Sequence, residues 1–163
     1  MTTQAERRLS AVFFSDIVGY STLSHRNESL ALALLEEHQQ ILLPIIKKHQ
    51  GRLIKTMGDG LLIEFESGLS ATLCAVEIQE HLKIRNSAVV GEKRILLRIG
   101  IHVGDVIHSR GDLLGDGVNI AARLMQIARP GRICISSVVF DQAKTRIPYW
   151  ISPLGPQKLK GID

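Results

Sequence analysis

Residues 52–65, RLIKTMGDGLLIEF, decide the fold, because two apolar segments flank a Gly-Asp-Gly turn at 58–60. That pattern predicts a β-hairpin. Helical periodicity lies on both sides of the hairpin, over 27–49 and from Ser67, a predicted N-cap, to about residue 86. A hairpin between two helices predicts an α+β fold with a ferredoxin-like antiparallel sheet and flanking helices, rather than a parallel doubly wound sheet.

The remaining elements extend this pattern in both directions. Residues 9–15, LSAVFFS, predict a buried strand that ends at Asp16. In the first helix, Pro44 predicts a kink and Gly51 a C-terminal stop. Residues 94–108 predict strand structure that is broken at Gly104. A third helix is expected from Asp116 to Ala128, followed by a strand over 132–136 and a short helix over 137–146.

The bulk composition is typical of one globular domain. The chain has 163 residues, of which 45% are hydrophobic, and no apolar run long enough to span a membrane. No signal peptide is recognisable, so the expected location is the cytoplasm, without membrane association. Cys74 and Cys134 stand in apolar segments and are expected to be buried thiols. The net charge of +4 comes from scattered residues, which argues against nucleic-acid binding.

Two aspartates are the strongest candidates for chemistry. Asp16 ends a hydrophobic strand and Asp59 sits in the hairpin turn, so both could hold hard cations against a triphosphate. The alternative for Asp59 is a plain turn former, since Gly-Asp-Gly suits tight turns. The segment IVGYS follows Asp16 directly, and its Gly19 would let successive backbone N–H groups face a phosphate.

A second group of polar residues lies on and before the third helix. Asn119 and Arg123 are four residues apart and therefore share a helix face, and the Arg fork suits phosphate oxygens. Asp112 precedes them in a glycine-bounded segment. Each of these residues alone is compatible with an ordinary exposed surface.

Four ordered blocks together resemble the class III adenylyl and guanylyl cyclases, over about residues 9–162. The blocks are FFSDIVGYS (13–21), IKTMGDGLLIEF (54–65), RIGIHVGDV (98–106) and GDLLGDGVNIAARL (111–124), and the ending KLKG (158–161) is a weaker fifth. The resemblance implies a catalytic domain over residues 1–163, expected to be the N-terminal part of a longer protein with a C-terminal regulatory or interaction domain.

The resemblance also implies a role for each matching position. Asp16, Asp59 and the carbonyl of Ile17 match the ligands of two Mg²⁺ or Mn²⁺ ions. The backbone of Gly19, Tyr20 and Ser21 matches a polyphosphate loop. Lys55 and Asp112 match the pair that reads the purine, while Asn119 and Arg123 match the residues that orient the ribose and stabilise the reacting phosphate. Lys160 matches a lysine on the terminal phosphates, with Lys158 as the alternative.

The implied activity is conversion of ATP to 3′,5′-cyclic AMP at the interface of a homodimer. Lys55 can donate to adenine N1 and Asp112 can accept from its amine, whereas guanine presents the opposite pattern. Asp105 stands where some members carry an arginine, and the segment 106–111 is short, as in a short-armed bacterial subclass. Alternatives are a guanylate cyclase, a diguanylate cyclase or polymerase-like palm, and an inactive nucleotide-binding regulatory module.

Overall fold

The computed structural model describes residues 5–147, which form a single six-stranded, mainly antiparallel sheet with helices on both faces. The strands are β1 (Glu6–Ile17), β2 (Arg52–Met57), β3 (Gly60–Phe65), β4 (Leu97–Ser109), β5 (Asp112–Leu114) and β6 (Ile133–Ile135). The helices are α1 (Tyr20–Arg26), α2 (Glu28–Lys48), α3 (Gly68–Asn86), α4 (Asp116–Ile127) and α5 (Ser137–Ala143).

The strand order is β2-β3-β1-β4-β5, with every neighbouring pair antiparallel and β6 parallel to β4. The hairpin β2–β3 therefore lies at one edge, and β1 occupies the centre between β3 and β4. This arrangement confirms the predicted ferredoxin-like sheet. The reason is local: the two-residue turn permits only an antiparallel hairpin, and the helices on either side return the chain to the sheet.

Alternation along β1 divides the core into two layers. Ala11 and Phe13 face the larger cluster, which α2 and α3 cover, whereas Val12 and Phe14 face a second cluster with Val118 of α4. Successive strand residues point to opposite faces, so a central strand covered on both sides is apolar throughout. The even-numbered residues of β1 therefore share the α4 face with Asp16.

Helix boundaries follow their capping residues. Asn27 Oδ1 accepts from the Leu30 N–H at the start of α2, and Ser67 Oγ accepts from the Ser70 N–H at the start of α3, which confirms the predicted N-cap. Helix α2 continues through Pro44 to Lys48. The left-handed residue after it is Gln50, with φ 62°, and not Gly51 as the sequence suggested.

Two further expectations were incomplete. Strand β4 runs without interruption through Gly104, because that residue retains its ladder pairing with Ser10 of β1. The glycine-bounded segment around Asp112 is a tight hairpin, with positive φ at both Arg110 and Gly111, as a two-residue I′ turn requires. Within residues 5–147, no helix combines the length and apolarity needed to cross a bilayer.

Candidate active site

The hairpin turn directs the Asp59 carboxylate toward the end of β1. Gly58 has φ 60°, and Gly60 lies so close to β1 that a Cβ there would meet the Ser15 carbonyl oxygen at 2.9 Å. Asp59 Oδ2 accepts a hydrogen bond from the Ile17 N–H at 2.7 Å. The turn thus forms the hairpin and also fixes a carboxylate beside the strand end.

Asp16 holds the neighbouring position on β1 and is paired with an arginine of β4. Arg98 Nη2 donates to Asp16 Oδ2 at 2.6 Å, and Arg98 Nε donates to Oδ1 at 3.0 Å. Arg98 Nη1 also donates to the Gln126 carbonyl of α4 at 3.1 Å. The bond to Asp16 raises the pKa of the Arg98 guanidinium above its ordinary value. Arg98 therefore links the metal-site candidate to the end of α4.

The electrostatics at this strand end favour a cation. Burial raises the pKa of Asp59 above its ordinary value, the Ile17 N–H bond opposes that rise, and the negative charge of Asp16 adds to it. Two carboxylates here face one guanidinium, Arg98, so a hard cation with oxygen ligands suits the pair. In the described part of the chain no group of three or more His, Cys, Asp and Glu side chains converges.

The segment predicted as a phosphate loop is the start of a short helix. Gly19 has φ 74° and precedes α1, and its carbonyl accepts the first intrahelical bond, from the Leu23 N–H at 3.0 Å. The N–H groups of Tyr20 and Ser21 belong to the first turn, where no intrahelical partner exists. Within residues 5–147 neither N–H group donates to a backbone oxygen outside the helix, which is compatible with the predicted phosphate contact.

The pair predicted to read the purine is already in contact within one chain. Lys55 Nζ lies 3.0 Å from Asp112 Oδ1 and both side chains are part-exposed. Lys55 belongs to β2 and Asp112 to β5, which are the two edges of the β2-β3-β1-β4-β5 path. Laid flat, five strands would hold their edges about 19 Å apart. The ion pair therefore requires that the sheet curl strongly toward the α4 face.

Asn119 and Arg123 lie on α4, which is held close to β4. Gly100 leaves no space for a side chain, because a Cβ there would meet the Met125 backbone nitrogen at 2.2 Å. Asn119 is exposed, and Arg123 Nη1 donates to Gln126 Oε1 at 3.1 Å. Both residues thus stand on a rigidly packed helix. Lys158 and Lys160 lie outside the described residues.

Sequence reasoning missed Arg98 as a site residue. A usable signal was present, since RIGIH is an apolar strand in which the first residue is charged. A charge in a buried strand needs a partner. The register pairs Arg98 with Asp16 directly across the β1–β4 ladder, but that register is not readable from one sequence.

Comparisons with known proteins identify the family of the chain. The family model "Adenylate and Guanylate cyclase catalytic domain" matches residues 3–163. A protein of Rhizobium meliloti (strain 1021) named "Putative adenylate cyclase 3" is 37% identical over 158 residues, covering 96% of this chain and 27% of that protein. The chain thus spans about a quarter of the length of that curated relative.

Solved structures show the same fold. The crystal structure of an adenylate/guanylate cyclase/hydrolase from Silicibacter pomeroyi has a TM-score of 0.92 and 40% identity, covering 98% of this chain and 94% of the other. The catalytic core of a rhodopsin-guanylyl cyclase with converted specificity, in complex with ATPαS, has a TM-score of 0.82 and 26% identity, with coverages of 98% and 93%.

Proposed function

This chain belongs to the adenylate and guanylate cyclase catalytic domain family, and we propose that it converts ATP to 3′,5′-cyclic AMP and pyrophosphate. The ribose 3′-hydroxyl gives its proton to water or to a substrate oxygen and attacks the α-phosphate of the same nucleotide, and the bond from the α-phosphorus to the leaving pyrophosphate breaks. The observation that carries the proposal is the Asp59–Ile17 hydrogen bond of 2.7 Å, which brings the turn carboxylate to the strand end that bears Asp16. Relatives named adenylate cyclase support the reaction.

The preference for ATP rests on Lys55 and Asp112. An ammonium donor and a carboxylate acceptor stand side by side at 3.0 Å, and adenine presents an acceptor at N1 next to a donor at its exocyclic amine. Guanine presents an N–H and a carbonyl at the same positions. The Lys55 donor would then face a donor, and the Asp112 acceptor would face an acceptor. Polar groups left unpaired in this way discriminate strongly between substrates.

Asp16, Asp59 and the Ile17 carbonyl would hold two Mg²⁺ or Mn²⁺ ions, which suit the oxygen donors and the excess of negative charge there. Bound cations would supply positive charge that lowers the pKa of the 3′-hydroxyl and offsets the negative charge of the leaving phosphates. The first-turn N–H groups of α1 bind phosphate oxygens, and Lys160 is proposed to bind the terminal phosphates.

Helix α4 supplies the groups proposed to act at the reacting centre. Arg123 offsets the charge that develops on the α-phosphate, and Asn119 fixes the ribose so that its 3′-oxygen faces the phosphorus. Both effects work through position and fixed charge, which account for most of the acceleration in phosphoryl transfer. A helix held by backbone contact at Gly100 suits that task.

A complete site is proposed to need two chains, with Asp16 and Asp59 from one protomer and Lys55, Asp112, Asn119 and Arg123 from its partner. A two-fold dimer would then contain two equivalent sites. The test is to mix Asp16→Ala chains with Arg123→Ala chains, each inactive alone. Random association gives half heterodimers with one intact site of two, so about one quarter of wild-type activity should return. Mixing that restores nothing would refute the shared site.

The same assay separates the candidate functions. Wild-type protein is incubated with ATP or GTP, with Mg²⁺ or Mn²⁺, over a range of protein concentrations. Cyclic AMP formation with a specific activity that rises with protein concentration supports the proposal. Cyclic GMP as the main product would make the chain a guanylate cyclase, and nucleotide binding without turnover would make it a regulatory module.

A further inference from the structure

A buried carboxylate on β3 ties together four strands of the sheet. Glu64 is only 3% exposed, although its strand is otherwise apolar. Its oxygens accept from Arg52 of β2 at 2.6 Å, from Ser10 of β1 at 2.6 Å and from Arg8 of β1 at 3.2 Å. His108 Nε2 of β4 lies 2.7 Å from the same carboxylate. We call these five residues the Glu64 cluster.

The carboxylate in this cluster is fully engaged and charged. Burial alone would raise the pKa of Glu64, but the hydrogen bonds from Ser10, Arg8 and His108 outweigh it and hold the pKa below its ordinary value. A buried charge is tolerated only with such compensation, and removing one partner of a buried charge is costly. The Glu64 cluster therefore resists displacement of the strands that contribute to it.

The cluster lies inside the curl of the sheet. Glu64 and Val12 are directly paired, so Glu64 points to the same face as the apolar cluster under α4. Arg52 and His108 come from β2 and β4, which are not neighbours in the sheet. One side chain thus draws together two strands that β3 and β1 separate, and it does so on the concave side. This is the curvature that the Lys55–Asp112 contact requires.

Lys55 follows closely after Arg52 in the sequence, and Asp112 follows closely after His108. The β2–β3 register shifts between Leu53 and Lys55, so that Arg52 opposes Glu64 and Lys55 opposes Leu62. A bulge of this kind re-aims the next side chain, and here it turns Lys55 to the face of Glu64. On the other edge, His108 is separated from Asp112 by one residue and the two-residue turn of the β4–β5 hairpin.

We propose that Glu64 is a positioning residue for purine selectivity, because its bonds to Arg52 and His108 set the separation between Lys55 and Asp112. The inference rests on the proposed function in that Lys55 and Asp112 read the base. Glu64 itself does not touch the nucleotide. Its effect passes through Arg52 to the edge strand β2 and through His108 to the β4–β5 hairpin.

The test compares two arginines on the same carboxylate. Arg52→Gln removes the side-chain bond between Glu64 and the edge strand that carries Lys55, whereas Arg8→Gln removes the same charge from Glu64 but keeps the Arg52 bond. Both side chains are part-exposed, 62% and 39%, so both variants should fold. For ATP, Arg52→Gln should raise KM more than it lowers kcat and should reduce the ATP-to-GTP ratio of kcat/KM about tenfold. Arg8→Gln should change the ratio by less than about twofold.

A second readout does not depend on catalysis. The Leu113 amide and Lys55 hold the pKa of Asp112 below its ordinary value, so the Asp112 carboxyl can be titrated by carbon-13 NMR. If Arg52→Gln separates the pair, this pKa should rise toward the value in Lys55→Met, while Arg8→Gln should match wild type.

The outcomes separate this inference from the proposed function. Wild-type protein inactive with both nucleotides would refute the function, and the Asp112 titration would still report on positioning. An Arg52→Gln variant that matches Arg8→Gln in both readouts would overturn the inference, even in an active cyclase. A shifted titration with an unchanged ATP-to-GTP ratio would overturn it too, because the pair would then be positioned by Glu64 without selecting the base.

Discussion

Replacing Gly100 by alanine should displace helix α4 and lower both stability and activity. A Cβ at position 100 would lie 2.2 Å from the Met125 nitrogen, 2.4 Å from the Ala121 oxygen and 2.8 Å from the Met125 Cα. All three atoms belong to the α4 backbone, which cannot rotate away as a side chain can. The substitution therefore forces the helix as a unit away from β4.

The size of the displacement follows from these contacts. Moving an atom from 2.2 Å to ordinary contact requires a shift of about 1 Å or more. Overpacking of this kind costs about 1–3 kcal/mol of the free energy of unfolding. Asn119 and Arg123 belong to the displaced helix and would move with it. A 1 Å error in the position of such groups can reduce kcat about a hundredfold.

The assay is urea unfolding together with steady-state kinetics on ATP. Gly104→Ala is the matched control, because it lies four residues along the same face of β4. A Cβ there meets only the movable ring of His102 below 3.4 Å. The control should lose less than about 1 kcal/mol and retain most of kcat. If Gly100→Ala unfolds at the wild-type urea concentration with unchanged kcat, the contact is not what positions α4.

Two further predictions concern charge in the metal-free protein. Burial lowers the pKa of His38 to about 4 from 6.5, so the folded chain stays neutral there while the unfolded chain takes up a proton below pH 6.5. The free energy of unfolding should fall by roughly 3 kcal/mol from this group between pH 6.5 and 4, and urea unfolding of His38→Leu should lack that part of the decline. Arg98→Gln leaves the Asp16 and Asp59 carboxylates without their guanidinium, so its melting temperature should fall, and Mg²⁺ should raise it more than in wild type. An equal Mg²⁺ response in both proteins would show that Arg98 does not compensate the site.

The elements of the fold were predictable because their signals are local. A Gly-Asp-Gly turn between apolar segments specifies a hairpin, and Ser67 specifies a helix start, whatever the rest of the chain does. The break expected at Gly104 was wrong because non-local pairing, and not the local signal, decides the structure at that residue. A glycine weakens a strand locally, but here the ladder to β1 continues through Gly104, which pairs with Ser10.

The candidate site was predictable in its residue types but not in its internal contacts. Asp16, Asp59, Lys55 and Asp112 stand out by their sequence blocks, whereas Arg98 and the Glu64 cluster depend on register and sheet curl. Both are tertiary properties, since Arg98 meets Asp16 across 82 positions and Arg8 meets Glu64 across 56. A charged residue inside an otherwise apolar strand signals that a partner exists, without saying which one.

The contacts within one chain also bear on how the proposed dimer would form. The Lys55–Asp112 pair at 3.0 Å and the Asp59–Ile17 hydrogen bond at 2.7 Å both form within one chain. Each half of the proposed site is thus shaped by its own sheet. Association would then need only rigid docking of two prepared halves, with little backbone rearrangement. Under this scheme, substitutions in the Glu64 cluster change selectivity without changing the affinity between protomers.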